Sequence, residues 1–223
     1  MKSPYPILAY SDLHFPFSHP KALPFLRKIN KRYKPRTVVF CGDLVDNHAL
    51  SRFTTEPDAI SAMDELAATK KLIAKLYKLF PKMIITIGNH TSIPVRLAKE
   101  VGMSKIFMKS VNELIDVPKE DWKFVTSIDI DGIHFKHKLN SAPSSAINTA
   151  IKLRKPLVGA HTHSFGGVVY SSNGTDTIFG ANCGALVDES KYAFAYGKEC
   201  LNKATLGCIL IHNQLRAEFI PLY

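Results

Sequence analysis

The chain has 223 residues, 46% of them hydrophobic and 22% charged, with a formal net charge of +10. That is an ordinary soluble globular composition, and it fits one domain with a core of useful size. No apolar run approaches the ~18 residues of a membrane span. Lys2 is followed only by the short run Ile7-Leu8-Ala9-Tyr10 before Asp12 and His14, which is not a signal-peptide pattern. Cys41, Cys183, Cys200 and Cys208 are scattered without a C-x-x-C. This argues against a disulfide framework or a zinc knuckle and for reduced thiols in the cytoplasm. The basic excess suits a polyanionic partner, and it serves solubility alone equally well.

Pro6 to Ser11 reads as a buried strand that ends in Asp12-Leu13-His14. A carboxylate and an imidazole just past a strand's carboxyl end sit where open α/β sheets place ligands. Taken alone, the same residues fit a helix-capping loop. Pro20 to Tyr33 reads as a helix with Leu23, Leu26 (or Phe25) and Ile29 inward. Its basic run, Arg27 to Arg36, lies at the end away from the Asp12 loop and reads as a solvated face. Thr37 to Cys41 is a second strand, running into Gly42-Asp43-Leu44-Val45-Asp46; Gly42 allows close approach. His48 and Arg52, in the loop that follows, are candidate substrate contacts. Pro57 to Phe80 is the longest helical pattern, with Ile60, Met63, Leu66, Ile73, Leu76 and Phe80 as its stripe and Pro57 in its first turn. Met83 to Ile87 is a third strand, ending in Gly88-Asn89-His90, and a helix is expected over Val95–Val101.

Lys105 to Ile115 carries a helical pattern packing Ile106, Phe107, Val111 and Leu114. From Trp122 the chain turns β-rich. Val125 to Ile130 reads as a strand, Asp131-Gly132 as a tight hairpin turn and Ile133 to Lys138 as the partner strand. His134 and His137 fall on opposite faces, and His137, nearer the strand end, is the candidate. Ala142 to Lys155 reads as a helix, and Pro156-Leu157-Val158 as a strand entering Gly159-Ala160-His161-Thr162-His163. A His-x-His pair on a regular strand points to opposite faces. Both rings can serve one centre only at a strand end or turn, for which Gly159 is suited by its backbone freedom. Beyond, turns are expected at Asn173-Gly174, Gly180 and Gly184, with a closing hairpin turning at Asn213-Gln214.

Five clusters thus stand in order: Asp12-x-His14, Gly42-Asp43-x-x-Asp46, Gly88-Asn89-His90, His137 and His161-x-His163. Their carboxylate, imidazole and amide donors are those taken by hard-to-borderline divalent metals. The set resembles the calcineurin-like metallophosphoesterase superfamily, whose pattern is D-x-H, G-D-x-x-D, G-N-H-[DE], H and G-H-x-H. The resemblance runs from Asp12 to His163 and implies a two-sheet α/β sandwich flanked by helices.

It also implies two divalent metal ions, manganese first among manganese, iron, zinc and nickel. Asp12, His14, Asp43 and His163 would hold one, and Asn89, His137 and His161 the other, with Asp43 bridging. Asp46 would support the site rather than bind metal. His90 would be the catalytic histidine, protonating the leaving oxygen as a metal-bridging hydroxide attacks phosphorus. Two departures stand out: Thr91 replaces the usual acid that orients this histidine, and Ala160 stands between the glycine and His161. The leading expectation is a phosphodiesterase on a phosphate-ester substrate, nucleic acid (a nuclease) or a nucleotide-like ester, with no membrane partner. The alternatives are a phosphomonoesterase and a non-catalytic scaffold, since some members of the superfamily bind proteins after losing ligands.

Overall fold

The structure, a computed structural model, describes residues 3–51, 60–139, 144–191 and 203–223. Strand β1 (Ile7–Tyr10) is buried along its whole length. Its alternating side chains feed two cores: Leu8 and Tyr10 join the cluster that holds Leu26, Ile29, Ile73 and Leu76, while Ile7 and Ala9 join Phe135, Val158, Phe179 and Ala181. Strand β2 (Thr37–Phe40) divides Val38 and Phe40 from Val39 in the same way. Uninterrupted apolar runs of this kind mark strands covered on both faces.

The first sheet runs β11-β10-β1-β2-β3-β4. β1, β2, β3 (Met83–Thr86) and β4 (Trp122–Val125) are parallel, and β10 (Gly207–Asn213) and β11 (Arg216–Pro221) add an antiparallel hairpin. The second sheet runs β5-β6-β7-β9-β8, from β5 (Ser127–Ile130), β6 (Ile133–Lys138), β7 (Leu157–Ala160), β8 (Gly166–Ser172) and β9 (Thr177–Cys183). Helices α1 (Ala22–Tyr33) and α2 (Ala62–Leu79) cover the outer face of the first sheet. Helix α5 (Ser145–Leu153) covers the second. The result is the expected two-sheet α/β sandwich. No described helix is long and apolar enough to cross a membrane.

Several boundaries differ from the sequence reading. Trp122–Val125 is a strand of its own that closes the first sheet, so Val125 to Ile130 is not one strand; the chain changes sheets at residue 126. Helix α2 starts at Ala62, because Ser61 caps it by accepting the Asp64 N–H at 3.2 Å. Ile60 and Met63 are therefore exposed rather than part of the stripe, and Pro57 lies outside the described residues. Helix α3 (Ile93–Glu100) begins two residues early, with Pro94 in its first turn. The 105–115 segment is not one helix. A 3₁₀ turn (Lys105–Phe107) precedes α4 (Val111–Leu114), which restarts at a Ser110–Glu113 capping box, and Ile106 and Phe107 are exposed. Helix α5 starts at Ser145, and residues 140–143 lie outside the described residues, as do Arg52 and Cys200. The last hairpin turns at Gln214-Leu215, since Asn213 pairs with Arg216.

Gly180 and Gly159 are among the glycines beside which a Cβ would be crowded. Gly180 is inside β9, not at a turn, where a Cβ would meet the Ile147 nitrogen of α5 at 2.2 Å. Gly159 is an ordinary residue of β7, where a Cβ would meet Leu139 Cδ1 at 2.2 Å. The unusual backbone expected of Gly159 belongs instead to His161.

Candidate metal centre

The carboxyl ends of β1, β2 and β3 lie on one edge, because the strands are parallel neighbours. Three functional side chains there sit on left-handed backbone: Asp12 (φ 51°), His14 (φ 45°) and Asp43 (φ 52°). Such a conformation costs an L residue ~1–2 kcal/mol, and lacing between the loops offsets it. Asp12 N–H donates to the Gly42 carbonyl (3.0 Å), His14 N–H to the Asp43 carbonyl (2.9 Å), and Asp46 N–H back to the Phe15 carbonyl (3.1 Å). The second sheet contributes His137 at a register shift between Phe135 and Lys138, and His161 with φ 80° just past β7. That positive φ turns His161 and His163 toward one centre. A Cβ on Gly42 would fall 2.4 Å from the His137 ring, so glycine there admits the imidazole.

Three candidate donor groups result among the described residues. Asp12, His14 and His163 form the first, Asp43, His137 and His161 the second, and His14, Asp46 and His90 a third that shares His14 with the first, each with its donor atoms within 4.8 Å of one another. In the first, His163 Nε2 lies 3.2 Å from Asp12 Oδ1 and 3.2 Å from His14 Nε2. In the second, His137 Nε2 lies 2.9 Å from Asp43 Oδ2 and 3.1 Å from Asn89 Oδ1. These two groups touch, since His161 N–H donates to Asp12 Oδ2 at 3.3 Å. The far ring nitrogens are spoken for. His14 Nδ1 donates to Asp46 Oδ1 (2.6 Å) and His137 Nδ1 to the Cys41 carbonyl (2.7 Å), so each Nε2 faces the centre.

Asp12, Asp43 and Asp46 are buried, which by itself raises a carboxyl pKa. The imidazoles reverse it: all three carboxyls stand below the usual range, Asp12 through His163 and His14, Asp43 through His137, and Asp46 through His14 and His90. Burial pushes His14 down, but Asp12 and Asp46 outweigh it and hold the ring up at about 10. His137 is likewise raised by Asp43 against its burial. His161 goes the other way, to about 4, through burial and the charge of His137. It is therefore a neutral nitrogen donor at pH 7.

This donor set fits divalent cations. Buried carboxylates face converging Nε2 atoms, and at 3.2 Å only one of His14 and His163 can offer the other a proton. Oxygen and nitrogen donors without thiolate suit manganese, iron or zinc, and a cation would replace protons as the charge that balances the carboxylates.

The calcineurin-like phosphoesterase family profile matches residues 5–163. The chain belongs to the calcineurin-like phosphoesterases. No curated protein sequence matches it. Among solved structures it is similar to vacuolar protein sorting 29 of Cryptosporidium parvum, with 14% identity over 97% of this chain and 91% of that one and a TM-score of 0.50. It is also similar to the Escherichia coli phosphoesterase YfcE, with 16% identity over 97% and 99% and a TM-score of 0.42. At such identities the first likeness is one of fold.

For this calcineurin-like phosphoesterase, the structure brings Asp12, His14, Asp43, Asn89, His137, His161 and His163 together, and His134 is directed away, bonded to Asp129 at 2.6 Å. Asp46 Oδ1 lies 3.0 Å from His90 Nδ1 as well as bonding His14. An acid therefore faces His90 although position 91 is threonine. The backbone N–H of His90 (2.8 Å) and of Thr91 (3.3 Å) instead hold Asp43 Oδ1. The residue inserted before His161, Ala160, is buried in β7 and packs between the sheets. His48 begins a 3₁₀ turn; its ring lies 6.2 Å from that of Phe17, and its Nε2 is buried without a partner. Arg52 lies outside the described residues.

Two contributors went unread in the sequence. Asn47, on left-handed backbone, donates Nδ2 to the His90 carbonyl at 3.0 Å. Buried Glu65 accepts the His48 and Ala49 N–H groups, each at 2.9 Å. Asparagine's tolerance of positive φ, right after Asp46, is the one local signal; Glu65 gave none, because it sits on a helix among exposed charges.

Proposed function

We propose that this chain hydrolyses phosphodiesters, in nucleic acid or nucleotide-like esters, with two divalent metal ions, manganese foremost. The observation that carries the reading is the meeting of two nitrogen and oxygen donor groups, one built on Asp12, His14 and His163 and the other on Asp43, His137 and His161. Asp12, His14, Asp43 and His163 would hold one ion, and Asn89, His137 and His161 the other, with Asp43 shared. Such a pair polarises phosphoryl oxygens and makes water acidic enough to react near neutral pH.

The chain's own groups do the rest. Asp46 and the Cys41 carbonyl fix the ring orientations of His14 and His137, leaving their Nε2 lone pairs inward. His90 and His163 have 27% and 21% of their side-chain surface exposed, and Asn89 and His161 are also partly open, so the substrate is met on their side. With Nδ1 held by Asp46, His90 presents its other nitrogen to the leaving oxygen and delivers a proton there, a contribution of ~10²–10⁴-fold. The net charge of +10 favours a polyanionic ester.

The test is hydrolysis of bis-(p-nitrophenyl) phosphate and of p-nitrophenyl phosphate by metal-stripped protein reloaded with manganese, iron, zinc or nickel, beside Asp43→Ala. Metal-dependent diester turnover that vanishes in the variant is expected. Turnover on the monoester alone would replace the reading with a phosphomonoesterase. No turnover on either ester, with two ions bound, would leave a non-catalytic scaffold.

A further inference from the structure

A cavity of about 560 Å³ opens where α2 and α3 meet the 105–115 segment and the ends of β3 and β4. Its wall is mainly apolar, with Leu66, Ile87, Val95, Val111, Ile115 and Phe124 in the lining. A concave, mostly apolar space of ~300–1,000 Å³ with a few polar groups is the usual form of a small-molecule site.

Two further observations say what would occupy it. The first is wet apolar surface at one wall. Ile106 belongs to the lining yet is 84% exposed, and its neighbour Phe107 is 79% exposed and Val101 75%. Adjacent large apolar side chains in water, as at Ile106 and Phe107, mark interaction surfaces, ligand grooves among them. The second is charge. Lys109 and Lys119 both line the cavity, and the carboxylate beside them, Glu113, is engaged in its capping box, accepting the Ser110 N–H at 2.8 Å and the Ser110 hydroxyl. Lys119 forms an ion pair with Glu113 at 3.8 Å, too long for a hydrogen bond, and Lys109 stands on the same wall, so two cations face one carboxylate there. Thr91 and Asn112 are buried polar residues on the wall, and the Thr91 hydroxyl has no hydrogen-bond partner.

We propose that this cavity binds an amphiphilic anion, with an acyl chain or fused ring system against the apolar wall and its acidic head at Lys109 and Lys119. The proposal does not rest on the phosphoester chemistry: none of the wall residues is a proposed metal ligand, although Asn47 and Thr91 of the wall also bond His90 and Asp43 of the centre. Occupant and wall match in both respects: apolar area is removed from water, and two cations gain a counter-charge.

The experiment uses the full chain and titrates 1-anilinonaphthalene-8-sulfonate, followed by its fluorescence, then displaces it with decanoate or decanol. Saturable binding at one site is expected, with decanoate at least about tenfold stronger than decanol. Val111→Trp, which fills the space, and Lys109→Glu, which reverses the head contact, should each weaken decanoate at least about tenfold while circular dichroism and manganese stoichiometry stay unchanged. Val95→Phe gives the same reading if Val111→Trp does not fold. Absent or non-saturable binding, or affinity unchanged in the filled variants, overturns the proposal. So does co-sedimentation with phosphatidylglycerol vesicles that survives the filled cavity but is lost in Phe107→Ser, which would assign the exposed apolar residues to a membrane surface instead.

Discussion

The two sheets bring ligands to the same centre by different means. The first uses strand ends: three parallel strands stop on one edge, and Asp12, His14 and Asp43 follow on left-handed backbone laced by hydrogen bonds from loop to loop. The second uses irregularities, a register shift at His137 and a positive φ at His161. The first sheet supplies all three buried carboxylates and the groups that steer the rings, while the second supplies His137, His161 and His163. The lesson is one of hierarchy. Carboxylate charge and histidine orientation come from the first sheet, and the second adds imidazoles whose placement depends on how closely the sheets pack.

The largest effect should come from breaking the first sheet's steering. Asp46→Asn keeps the size, and the main-chain carbonyl that His90 Nδ1 reaches at 3.1 Å, but removes the charge that bonds His14 and lies 3.0 Å from His90. Turnover should fall about 100-fold, the scale of a lost general acid, and metal affinity about 10–100-fold. Steady-state kinetics and calorimetric titration with manganese check the two separately. In the second sheet, the packing itself is the lever. Gly180→Ala drives a Cβ into the backbone of Ile147 and should cost about 3 kcal/mol, read as a lower denaturant midpoint.

Thr91→Val removes a buried hydroxyl with no partner while leaving the backbone N–H that meets Asp43. It should be neutral or stabilising by up to about 1 kcal/mol, with activity changed less than about threefold. A large loss would show that the hydroxyl takes part in the chemistry. The smallest effect lies on the second sheet's hairpin, where hydrogen bonds from Lys155 and His134 hold the Asp129 carboxyl below its ordinary range. A depressed folded-state pKa stabilises above the unfolded value of ~3.9, and that stability is lost as pH falls through the folded value. Asp129 is about half exposed, so the gain is about 0.5 kcal/mol or less. Melting curves of Asp129→Asn and the unaltered chain should differ slightly at pH 7 and converge as pH falls below ~3.9.

The same division between the sheets governs what could be read from residues alone. The first sheet's sites announce themselves, because an apolar run of four followed by Asp-x-His, Gly-Asp or Gly-Asn-His is a local pattern. Strand alternation separates His134 from His137, and nearness to the strand end selects His137. What escaped depended on contacts distant in sequence. Gly159 and Gly180 look like turn residues until Leu139 and α5 are seen against them. The stripe through Ile60 and Met63 looked continuous until Ser61 proved to be a cap. Ile106 and Phe107 fitted a helical pattern, but Ser110 and Glu113 start a separate helix and leave them in water. That Asp46 faces His90 as well as His14 has no local signature, because nothing in the Gly-Asp-x-x-Asp pattern says that one carboxylate serves two rings.

The most direct test of convergence is metal stoichiometry. Manganese bound per chain should be counted by equilibrium dialysis and elemental analysis for the unaltered protein, His161→Ala and Asp43→Ala. Two ions in the unaltered chain, about one in His161→Ala and none tightly held in Asp43→Ala are predicted, because in the proposed centre the first sheet's Asp43 would serve both ions and the second sheet's His161 only one. Two ions retained by Asp43→Ala, or a single ion in the unaltered protein, would contradict a centre built jointly by the two sheets.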